Sequence, residues 1–93
     1  RKCAMQIDDG CQRDVTNRLR RVQGQLNGIL AMIEDGRDCA DIVTQVSAAS
    51  KALDRAGLRI VVDGMQQCAA ASERGEDPPM EVAKLERLFL SLS

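Results

Sequence analysis

DVTNRLRRVQGQLNGILAMIEDG, residues 14–36, decides the fold. Its apolar positions Val15, Leu19, Val22, Leu26, Ile29 and Ile33 step by 4, 3, 4, 3 and 4. That alternation puts one apolar stripe along an α-helix, as in a coiled-coil seam. Asp14 is the expected N-cap, and Glu34-Asp35-Gly36 the expected stop. Downstream, Asp38 is placed to cap a second helix. Its stripe of Cys39, Ile42, Val46, Ala49, Leu53, Ala56 and Ile60 keeps the same rhythm and runs to about Ala71. A helix of roughly 30 residues is ~45–50 Å long. SERGEDPP, residues 72–79, reads as a linker, and Asp77 before two prolines marks the start of a short third helix carrying Val82, Leu85, Leu88, Phe89 and Leu92. No strand-type alternation occurs. The expectation is an all-α fold, with residues 1–12 a flexible N-terminal tail and 13–93 a single helical domain.

Such a chain is short of core-building side chains. It has 93 residues, one Phe and no Trp or Tyr, so its interior must come from small aliphatic groups that bury little area each. The Ala48, Ala49, Ala52 and Ala56 stripe lets another helix approach closely, and one shorter helix plus a stub cannot cover the long second helix. A bundle formed with other copies is the natural remedy. No apolar run is long enough for a membrane span and no signal peptide is visible, so the expected location is the cytoplasm. The net charge of −1 hides an uneven distribution, with Arg13, Arg18, Arg20 and Arg21 clustered. Histidine is absent, which removes the usual general base, the commonest metal ligand and the physiological pH switch. Enzymatic activity is therefore not expected.

Four cysteines remain as reactive groups. Cys3 and Cys11 fall in the expected tail and read as incidental, with an extra ligand or a resolving thiol as the alternative role for either. Cys39 and Cys68 lie on the second helix, about 43 Å apart along its axis. A disulfide needs Cα atoms within about 7 Å, so one chain cannot join them. If the helix pairs antiparallel with its two-fold copy about Leu53 and Asp54, Cys39 of one subunit faces Cys68 of the other, twice per dimer. Both are equally readable as small buried hydrophobes. What favours reactivity is the position of Cys39 at a helix N-terminus, where the dipole favours the thiolate.

RLRRVQGQLNGI, followed by RDC about ten residues on and then the AL-R-GL segment, all within residues 18–68, resembles the CsoR/RcnR family of bacterial inducer-responsive repressors. The resemblance implies a three-helix subunit forming an antiparallel four-helix-bundle dimer, assembled further into a dimer-of-dimers homotetramer. It also implies a repressor that binds GC-rich double-stranded operator DNA until an inducer acts between two subunits. In copper-sensing members the second half-site reads His-x-x-x-Cys; the matching residues here are Gly64 and Cys68. Without that imidazole a trigonal copper(I) site cannot form, and nickel or cobalt sites, which want several, are further off. A bare pair of sensor thiols, Cys39 and Cys68, resembles the persulfide-sensing, CstR-like branch, whose inducer is a small reactive sulfur species and whose members need no cofactor. Copper(I) held linearly by the same two thiolates is the alternative.

Off the apolar stripes, Arg18, Arg21 and Gln25 share one side of the first helix, and Lys51, Arg55 and Arg59 step by four on the second. Both sets can form a solvent-facing basic surface. The resemblance makes Arg18 and Arg55 the leading DNA contacts, with Gln25 beside them. Gly24 and Gly28, costly inside a helix, suggest close approach of another helix or of DNA. Outside this reading stand a thiol carrier or sulfur-transfer bundle without DNA, and a purely structural bundle.

Overall fold

The computed structural model describes residues 6–92; Cys3 and the rest of residues 1–5 lie outside them. Three helices follow in order: α1 (Asp9–Glu34), α2 (Cys39–Glu73) and α3 (Val82–Ser91). No strand occurs among the described residues.

The three-helix, strand-free architecture agrees with the sequence reading, while two helix starts do not. The first helix begins at Asp9, with its N-cap six residues before the expected N-cap at Asp14. Asp8 is the N-cap, and its carboxylate accepts from the Cys11 N–H at 2.7 Å, so residues 9–12, expected in the tail, are helical. Asp14 sits within the helix and spends its carboxylate on side chains instead. The third helix starts at Val82 with Glu81 as N-cap, not beside Asp77. A proline disfavours helical backbone in the residue before it, which keeps Asp77 and Pro78 out of the helix. α2 has 35 residues and reaches Glu73. Asp38 occupies its N-cap position, although no side-chain capping bond forms there.

Both long helices end in the same way. Gly36 and Gly75 have positive φ, at 72° and 70°. Behind each the chain makes the paired bonds of a Schellman cap: Arg37 N–H to Met32 O with Gly36 N–H to Ile33 O, and Glu76 N–H to Ala71 O with Gly75 N–H to Ser72 O.

α1 folds back antiparallel on α2, burying Val15, Val22 and Ile29 of one helix and Ala49 and Ala56 of the other. Cys11 is fully buried beside Val15 and Ala56, with Ile7 packed on them. Asp63, only 1% exposed, ties down the start of the fold: its Oδ2 accepts from the Asp8 N–H at 3.2 Å and from Gln67 Nε2 at 2.8 Å. α3 packs on α2 alone, with Leu85 buried and Leu92 against Gly57, where a Cβ would come within 2.9 Å of Leu92 Cδ2. The chain is elongated, 58 × 24 × 23 Å.

Candidate nucleic-acid interface and thiol site

Antiparallel packing of α1 on α2 brings two separate stretches of arginines together. Arg18, Arg21, Gly24 and Gln25 of α1 meet Ala52 and Arg55 of α2 around an open cleft of about 550 Å³. Four of the six residues expected to contact DNA thus line one surface. Lys51 and Arg59 do not. Lys51 is exposed outside the cleft. Arg59 is turned to Asp14, its Nε 3.4 Å from Asp14 Oδ2. The same oxygen receives Arg18 Nε at 3.2 Å. One carboxylate therefore joins a guanidinium from each long helix.

The cleft carries unpaired positive charge. Among the described residues, Arg21 and Arg55 pair with no carboxylate. Gln25 Oε1 is buried without a hydrogen-bond partner, a costly state in an isolated subunit and one that an incoming donor would relieve. Gly24 and Gly28 have nothing within 4 Å of the place a Cβ would occupy. No packing inside the subunit requires these two glycines, so any close approach they serve comes from outside it.

The thiols occupy a different region. Cys39 is the first residue of α2 and is exposed. Cys68 is buried, its Sγ 3.4 Å from the Met80 carbonyl oxygen. It lines an apolar groove of about 500 Å³ between α2 and α3, with Met65, Val82 and Leu85 among its walls and Glu76 and Glu86 also lining it. Their separation of 29 residues is eight helical turns plus about 20°, so both cysteines lie on the same side of α2. One chain holds them far apart, yet an antiparallel partner would meet both with one face. Gly64, in the register where the resemblance puts histidine, is buried and offers no donor. Among the described residues no three His, Cys, Asp or Glu side chains converge as a metal site.

Cys11, read from the sequence as incidental or as a spare ligand or resolving thiol, is fully enclosed. Burial pushes its thiol pKa up, and its Sγ lies 3.8 Å from the Arg59 carbonyl oxygen. Neither it nor Asp63 stands out in the sequence. A cysteine one turn into a helix, on the same side as Val15, was the only available signal, and an assumed tail hid it.

Residues 11–91 match the family described as metal-sensitive transcriptional repressor. The copper-sensing transcriptional repressor CsoR of Bacillus subtilis is 35% identical over 75 residues, 81% of this chain and 74% of that protein. The copper-sensing transcriptional repressor RicR of Mycobacterium tuberculosis is 42% identical over 60 residues, 62% of each chain. Among solved structures, the nickel-responsive transcriptional regulator InrS superposes with a TM-score of 0.76 at 25% identity, covering 98% of this chain and all of that one. No helix among the described residues is long and apolar enough to cross a membrane.

Proposed function

The chain belongs to the metal-sensitive transcriptional repressors, and from that premise we propose that it grips operator DNA through the arginine cleft and lets go when a thiophilic effector joins Cys39 of one subunit to Cys68 of another. The observation that carries the reading is the cleft itself: Arg18, Arg21, Gln25 and Arg55, drawn from two helices, line one surface. Phosphate contacts from such a surface dominate affinity and make it sensitive to salt. Assembly is part of the proposal, because the two thiols need two chains.

For the effector, the similar copper-sensing repressors support copper(I). Soft thiolates select copper(I), and the two thiols of paired subunits would fit it. With no histidine in the chain, Cys39 and Cys68 of two subunits offer two donors, which suits linear coordination and not a trigonal site. Nickel, which suits imidazole ligands, is disfavoured in a chain without histidine.

Gly64 favours a second reading, in which the same thiols sense reactive sulfur. One thiolate attacks the sulfane sulfur of a hydropersulfide RSSH, displacing RS⁻ and leaving Cys–S–SH. The partner thiolate then displaces HS⁻ and closes a Cys39–Cys68 disulfide. Either effector would favour a bundle geometry that fits the operator poorly.

Fluorescence anisotropy on a duplex that the protein enriches from a random pool tests the reading. Copper(I), delivered with a competing chelator, should release the DNA, and Cys39→Ser and Cys68→Ser should each abolish release. Release by polysulfide but not by copper(I), with an intersubunit Cys39–Cys68 link in non-reducing mass spectrometry, would replace the first effector by the second. Release by neither sinks the thiol-gated reading.

A further inference from the structure

Asp14 is an unexpected residue to find beside an anion-binding surface. Among the described residues it is the one carboxylate within ion-pairing distance of any of Arg18, Arg21, Lys51, Arg55 and Arg59, and it holds two of them through a single oxygen. A simple tie between α1 and α2 does not account for it. That end of the helix pair is already secured by fully buried Cys11 and by buried Asp63, which binds the Asp8 backbone. The Asp14 and Arg18 side chains are each 40% exposed and Arg59 33%, and ion pairs so open to solvent add little stability.

The geometry of the pairs is more telling. Both contacts are made through Nε. The terminal Nη pair of Arg18 and of Arg59 makes no hydrogen bond among the described residues, and an arginine fork grips phosphate or a guanine edge through such donors. Asp14 thus orders the stem of each guanidinium while leaving donors free. At the same time it places one negative charge beside Arg18, which lines the cleft.

We propose that Asp14 is a positioning residue that sets DNA discrimination, an inference that rests on the repressor reading above. On a matching duplex, Arg18, which lines the cleft and is pre-aimed by Asp14, finds its acceptor and offsets the repulsion. On a non-matching duplex the fork misses and the repulsion remains, so the carboxylate weakens non-specific binding more than specific binding. Specificity is a difference of affinities, and a repulsive element raises it as effectively as an attractive one.

The test compares the parent chain with Asp14→Asn, Asp14→Glu and Glu34→Gln. Glu34, exposed in the last turn of α1, controls for the loss of one negative charge. The probes are the duplex enriched by the parent and its base-shuffled counterpart, each titrated across a salt series. Asp14→Asn should bind the shuffled duplex about 3- to 10-fold tighter, with the slope of log K against log salt steeper by about 1. Its preference for the enriched duplex should fall by about 5-fold or more. Asp14→Glu should restore most of the preference, and Glu34→Gln should leave it unchanged. The proposal is overturned if Asp14→Asn keeps the parental preference, if it weakens both duplexes equally, or if Glu34→Gln reproduces its effect. A parent chain that enriches no duplex overturns the repressor reading itself, and that result is read before any variant is compared.

Discussion

Cys11, Cys39 and Cys68 differ in what surrounds each sulfur, and their chemistry should differ accordingly. Cys39 is exposed at the start of α2, Cys68 is buried against the Met80 carbonyl, and Cys11 is enclosed with its thiol pKa raised by burial. Alkylation of the native protein by iodoacetamide, read by mass spectrometry, should label Cys39 before Cys68 and leave Cys11 until last, whereas unfolded protein should show no such order. Equal native rates for Cys11 and Cys39 would contradict the burial. Asp8 offers a pH test. Its carboxyl is held below the ordinary value, chiefly by the Cys11 N–H, with Asp63 and the Arg59 charge adding to that effect and partial desolvation opposing it. A depressed carboxyl contributes stability above its unfolded pKa and loses it as pH falls through the folded one. Asp8→Ala should therefore lower the melting temperature at neutral pH, and the gap from the parent should close in acid; a gap as wide in acid as at neutrality would rule out that origin.

At the scale of the helices, Gly36 and Gly24 differ in a way that composition cannot distinguish. Gly36 takes the left-handed conformation at a Schellman cap, where an added Cβ is strained, so Gly36→Ala should cost about 1 kcal/mol. Gly24 lies mid-helix with open space around it, so Gly24→Ala should stabilise the DNA-free protein by about 1 kcal/mol. Thermal melts of the two variants should shift in opposite directions. α3 depends on fewer contacts. Leu85 is its one buried residue, and Leu85→Ala should cost about 2–5 kcal/mol if the helix stays docked. Hydrogen exchange would show a lesser loss together with fast exchange over residues 82–91, meaning that α3 has detached rather than carried a cavity.

The whole molecule is a long, thin hairpin with a stub, and much of its apolar stripe is uncovered. Leu26 and Leu53 are each 50% exposed, and Leu30 and Ile33 of the same stripe region on α1 are more so. Soluble monomers rarely present so continuous an apolar face. The antiparallel pairing argued from Cys39 and Cys68 would cover it, with Leu53 near the two-fold axis. Leu53→Asp should then shift the protein to monomer in sedimentation velocity and abolish effector-driven DNA release together, since the thiols would no longer meet. A variant that still sediments as the parent does would place the self-association surface elsewhere.

The helix count, the stop at Gly36 and the face on which each apolar stripe lies are legible in the residues alone, because they follow from a period of 3.6 residues and from local backbone sterics. Residue spacing also showed that Cys39 and Cys68 cannot meet within one chain, and the resemblance read from residues 18–68 agrees with the family matched over residues 11–91. Tertiary structure decided what depends on residues far apart in the chain. It placed Arg18 and Arg21 beside Arg55, and it diverted Arg59 to Asp14. It also enclosed Cys11 and Asp63, extending α1 back to Asp9. A carboxylate read along the sequence is an N-cap candidate like any other. Only when two helices pack does Asp14 acquire two arginines, because one of those arginines lies 45 residues further along the chain.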